Sequence, residues 1–107
     1  MGAALEAQSE IGPGLYLGHT GAIRIHPEVK AGKNLSLGPC VIIGQRGVGK
    51  TGVPILGDDV YIGVGAKILG NVRIGNNVKI GANAVVLEDV PDNVTAVGVP
   101  ARIIRGQ

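Results

Sequence analysis

From Leu56 to Val86 a large aliphatic residue recurs at every sixth position: Leu56, Ile62, Ile68, Ile74, Ile80 and Val86. Four places after each stands a smaller apolar residue, at Val60, Ala66, Val72, Val78, Ala84 and Val90. Gly directly follows the large residue at positions 57, 63, 75 and 81. An amphipathic helix repeats its apolar face near every 3.6 residues and does not keep a period of six. Six is three times the strand period, so alternate side chains still point to one side. The pattern predicts short strands joined by tight corners and wound into stacked coils. Each coil buries its inner face only against its neighbours. The pairs Asp58-Asp59 and Asn76-Asn77 fall at corners, where turn chemistry favours them.

The first half keeps the same period in a less regular form. Ile11, Leu17, Ile25, Ala31, Leu37 and Ile43 take the large places, with Val29, Leu35 and Val41 as companions. Two interruptions break it. Leu17 to Ile25 is two residues too long, so His19 stands in an irregular stretch. Ile43 to Leu56 is seven too long, which predicts an excursion over about Gln45 to Pro54. A single all-β domain is expected, with repeats over about 5–90, the extra loop at about 45–54 and a closing segment at 91–107. Pro91 and Pro100 mark bends in that last segment.

Composition agrees with a narrow aliphatic interior. The 107 residues include 19 Gly, no Phe and no Trp, and hydrophobic residues make up 45%. So much Gly opposes helix, because an interior Gly costs up to about 1 kcal/mol there. Charged residues are only 17%, too few for a disordered chain with this many aliphatics. A formal net charge of +2 and two tyrosines give no footprint for nucleic acid. The lone Cys40 allows no internal disulfide. No apolar run is long enough to span a membrane. Met1 to Glu10 lacks the basic start and apolar run of a signal peptide, so the expected location is the cytoplasm.

Three segments carry a resemblance to a known family: Gly14-Leu15-Tyr16-Leu17-Gly18-His19, Gly63 to Asn71, and Gly98-Val99-Pro100-Ala101-Arg102-Ile103-Ile104. With the repeat around them, they resemble the hexapeptide-repeat acyltransferases. The similarity is greatest to the serine O-acetyltransferase branch and its short relatives without an N-terminal helical domain. The resemblance implies a single-stranded left-handed parallel β-helix, three hexapeptides to a coil. That hand is an exception to the usual right-handed crossover. It implies acetyl transfer from acetyl-CoA, as co-substrate, to a hydroxyl of a small acceptor. It also implies a homotrimer with sites at subunit boundaries, no nucleic acid, no membrane and no metal.

His19 matches the family's catalytic histidine. An alcohol is a poor nucleophile near neutral pH, and an imidazole with an ordinary pKa of about 6.5 accepts its proton as the thioester is attacked. The resemblance places CoA contacts at Gly44, Gln45, Val64, Lys79, Ala82 and Arg102. The small residues admit the pantetheine arm, and the two cations suit phosphates. His26, before Pro27 at a corner, is read as structural. The chain departs from the serine branch at three places. Gly18 stands where that branch has Asp, Gly52-Val53 stand where it has Arg-His, and the carboxylate behind the histidine falls on Ala4, with Glu6 or Glu10 as substitutes. The acceptor therefore stays open between serine and a sugar.

Gly44-Gln45-Arg46-Gly47-Val48-Gly49-Lys50-Thr51 satisfies the spelling of a phosphate-binding P-loop. A true one needs a helix after it, and Gly52-Val53-Pro54 forbids that. Two other functions fit the same fold class. One is a non-catalytic scaffold. The other is a metalloenzyme of the γ-carbonic-anhydrase kind, which needs three histidine ligands where the chain has only His19 and His26.

Overall fold

The computed structural model describes residues 3–5, 10–18, 21–49 and 51–104. Among them there is no helix, and every strand is two or three residues long. Each strand turns a corner after a few residues, and every third strand returns to the same sheet. The first sheet stacks β1 (Ala3–Leu5), β4 (Ile23–Ile25), β7 (Ile42–Gly44), β10 (Lys67–Leu69) and β13 (Val85–Val86). The second stacks β2 (Glu10–Ile11), β5 (Lys30–Ala31), β8 (Ile55–Leu56) and β11 (Arg73–Ile74), and Ile74 bridges onward to Val90. The third stacks β3 (Tyr16–Leu17), β6 (Ser36–Leu37), β9 (Tyr61–Ile62), β12 (Lys79–Ile80) and β14 (Thr95–Val97). All of these pairings are parallel. The one reversal is β15 (Arg102–Ile104), which lies antiparallel to β14.

The register explains the hexapeptide. In each rung the large aliphatic residue stacks on its counterpart in the next coil, as Leu37, Ile62 and Ile80 do. Between these columns the residue that points outward is exposed, as at Ile23-Arg24-Ile25. The buried core is aliphatic throughout, from Ile23 to Ala96, and no buried polar side chain appears among the described residues. Gly38, Gly57, Gly63 and Gly75, each directly after a large residue, lie where the chain passes close to the coil below. A β-carbon on Gly63 would stand 2.8 Å from the Ala82 nitrogen, which is backbone and cannot swing aside.

The corner between the second and third sheets is stitched by side chains. Asn34, Asp59, Asn77 and Asn93 stack there with φ of 59°, 60°, 56° and 63°. The Asn34 amide donates to Asp59 at 2.9 Å, and the Asn77 amide donates to Asn93 at 2.9 Å. One place earlier, the backbone N–H of Lys33, Asp58 and Asn76 donates to the side-chain oxygen of Asp58, Asn76 and Asp92 in turn. Asn and Asp tolerate the left-handed backbone better than other residues with a β-carbon. We expect Asn77→Ala to destabilise by about 1–3 kcal/mol, from the lost hydrogen bond and the strained φ. Asn77→Gly should cost less, because Gly relieves the strain. Urea denaturation of the pair checks the order.

Two expectations need correction. Val90 was expected in the column of small companions, but it stacks on Ile74 in the column of large residues. The corner at Leu87 to Asp89 is two residues short, and the coil-to-coil offset falls from 18 to 16. The Asp89 carboxylate covers the difference by accepting the Arg73 N–H at 2.9 Å. The rhythm also does not end at Val90. Val94 and Ala96 are buried beneath Val78 and Ile80, and β14 pairs with β12 in parallel. The chain leaves the coil only at Gly98, turns through a cis Val99–Pro100 bond and lays β15 back along the last rung.

Candidate functional site

The coil has three edges, and the interruptions divide between two of them. The stitched edge just described is regular in every coil. The edge from the first to the second sheet carries the long excursion, so it is the loop edge. It leaves β7 at Gly44 and returns at β8. The edge from the third to the first sheet runs through Gly38-Pro39-Cys40, Gly63-Val64-Gly65 and Gly81-Ala82-Asn83, and is the small-residue edge. The stretch with two extra residues, between β3 and β4, belongs to its upper end. His19 lies outside the described residues. On either side of it, Gly18 donates to the Leu37 carbonyl at 3.0 Å, and a β-carbon on Gly21 would meet Pro39.

Two of the six expected CoA contacts, Val64 and Ala82, lie on the small-residue edge, and two more, Lys79 and Arg102, stand on strands of the adjoining third sheet. Val64 is 45% exposed and Ala82 is exposed one coil below it, with the Asn83 N–H donating to the Val64 carbonyl at 2.8 Å. Lys79 stands exposed on the adjoining third sheet, between Tyr61 and Thr95. Arg102 is exposed opposite Val97, whose side chain packs against Gly81. The edge is thus a shallow track of backbone and small side chains with cations near its lower end. That is a shape and charge suited to an extended thioester with phosphates. Gly44 and Gln45 are not part of this group. They sit at the start of the loop edge, Gly44 buried with its carbonyl accepting the Gly70 N–H at 2.8 Å, Gln45 exposed.

The excursion is shorter than its sequence suggests, because Val53 and Pro54 are already buried. No helix follows Thr51; β8 does, so the P-loop spelling has no P-loop structure. Val48 at the tip is fully exposed. Arg46 lies back over Gly70, whose missing side chain leaves it room, and reaches a cavity of about 700 Å3 at the base of the coil that Arg102 also lines. A second cavity, about 480 Å3, opens at the root of the loop. Neither cavity was legible in the sequence, since each is lined by segments far apart along the chain. His26 is half-buried at its corner, and its Nδ1 accepts the Glu28 N–H at 3.0 Å.

Among the described residues no three of His, Cys, Asp and Glu converge as metal ligands. Among the same residues no helix is long and apolar enough to cross a membrane.

Comparison with known proteins supports the same assignment. The family described as bacterial transferase hexapeptide (six repeats) matches residues 54–88. A serine acetyltransferase of Buchnera aphidicola is 43% identical over 99 residues, 91% of this chain and 38% of the relative. A Brucella abortus serine acetyltransferase solved with coenzyme A is 42% identical at a TM-score of 0.84, covering 91% of this chain and 39% of that one. A Neisseria gonorrhoeae serine acetyltransferase solved with serine is 42% identical at a TM-score of 0.81, covering 91% and 40%. The chain therefore spans about two fifths of the length of these relatives. The coil is the left-handed parallel β-helix of those enzymes. Repeat, register and likeness together make the coil a hexapeptide-repeat domain of the kind those transferases carry.

Proposed function

We propose that the chain is a CoA-dependent O-acetyltransferase acting on a small hydroxyl acceptor, with serine and sugars as the candidates. Acetyl-CoA lies along the small-residue edge, with Val64 and Ala82 beneath the pantetheine arm and Lys79 and Arg102 toward its phosphates. The acceptor oxygen attacks the thioester carbonyl carbon, and the carbon–sulfur bond breaks. His19 takes the hydroxyl proton and returns it to the departing CoA sulfur. Backbone N–H groups beside the loop stabilise the oxyanion between these steps. The observation that carries this reading is the likeness, over 91% of the chain, to an enzyme solved with coenzyme A.

The geometry also supports a shared site. His19 belongs in sequence to the small-residue edge, while the loop, Gly44 and Gln45 belong to the loop edge. In sequence these parts lie on different edges of the prism. A second copy brings them together, if the small-residue edge of one meets the loop edge of the next. Repeated by rotation, that contact closes as a homotrimer.

Two measurements test this. Thiol release from acetyl-CoA across a panel of hydroxyl acceptors tests the activity, and a rise in Tm with CoA tests the binding. For the shared site, His19→Ala is combined with a variant whose residues 46–51 are replaced by two glycines. Each alone should be inactive. Random mixed trimers should regain about a quarter of wild-type activity, because one boundary in four then has both parts intact. No recovery in trimers that contain both chains would place the site within one copy.

A further inference from the structure

The cavity at the root of the loop has a chemistry that selects among acceptors. Its lining includes Glu10, Glu28, Lys30, Gly52, Val53 and Asn71. The Lys30 ammonium stands 3.9 Å from the Glu10 carboxylate, so their charges cancel. Glu28 forms no ion pair among the described residues and leaves the described lining net negative. No arginine is among its described lining residues, so none of them offers the paired donors that grip a carboxylate. Nor does the fold leave a place for one. Gly52 has φ of 92°, and a β-carbon on it would meet that of Asn71 at 2.6 Å. Val53 is buried with the core. Hydroxyl groups meet the opposite reception. Glu28 accepts from them, and the Asn71 amide both donates and accepts.

We infer that the acceptor is a small polyhydroxylated, sugar-like molecule without a carboxylate, bound in this cavity through its hydroxyls to Glu28 and Asn71. The inference rests on the transferase reading above. It separates this chain from the relative solved with serine, because the Glu28 carboxylate would repel an acceptor that carries a carboxylate of its own.

The test compares kcat/KM for neutral monosaccharides and for L-serine, with acetyl-CoA as donor. The best sugar should exceed L-serine at least tenfold. Glu28→Gln should lower kcat/KM for that sugar by about tenfold or more, chiefly through KM, since it weakens hydrogen bonds to a charged acceptor. Glu28 is exposed, so the variant keeps the fold; Asn71→Ser is the second probe. A preference for L-serine, or sugar turnover indifferent to both substitutions, overturns the inference and leaves the transferase reading standing. No transfer to any acceptor and no Tm shift with CoA overturns that reading and this inference with it.

Discussion

Replacing His19 by alanine should lower acetyl transfer by about 10²- to 10⁴-fold, the usual contribution of a positioned general base, which is the role we propose for it. That corresponds to about 3–5 kcal/mol of transition-state stabilisation. The loss should fall on kcat, because in the proposed mechanism the imidazole acts as the acceptor proton leaves and not as CoA binds. The Tm rise with CoA should therefore survive, and circular dichroism should stay that of the wild type. Steady-state kinetics and thermal shift on the same preparation check both halves. Turnover within threefold of wild type would remove His19 from the mechanism.

Ile62→Ala should have the largest effect on stability, about 2–5 kcal/mol for a fully buried aliphatic truncated to alanine. Ile62 is 0% exposed and stacks between Leu37 above and Ile80 below. A coil of this kind holds together only through its neighbours, so a lost rung weakens the join between the upper and lower halves. Urea denaturation should show a lower midpoint and a broader transition, the mark of lost cooperativity. The adjacent Tyr61 is 52% exposed, and Tyr61→Ala should cost under about 1 kcal/mol. The contrast between two consecutive residues tests the alternation directly.

The fold was legible because its information is local and repeated. Each hexapeptide carries the same instruction, so Ile62, Ile68 and Ile74 confirm one another, and one misread residue does not alter the rest. The shortened corner at Leu87 to Asp89 was not legible. Val90 is apolar and buried in either column, and only the Asp89 side chain standing in for a backbone acceptor distinguishes the two. Of the proposed site, breaks in the period marked His19 and the loop, and the family resemblance supplied Val64 and Ala82. Glu28 and Asn71 left no such signal. They occupy ordinary corner positions on different coils, and their common cavity arises only when the loop returns to the coil at Val53 and Pro54.

The stitched corner of Asn and Asp has a consequence for how such a protein changes over time. The two extra residues near His19, the seven in the loop and the two missing after Val86 all fall on the other two edges. Along the stitched edge the spacing is the same in every coil, from Gly12 to Asn93. That edge works as a keel. It holds the rungs in line while chain length varies elsewhere, so segments can be gained or lost on the remaining edges without resetting the ladders above and below. New chemistry then arrives by editing two edges of a prism whose third stays constant.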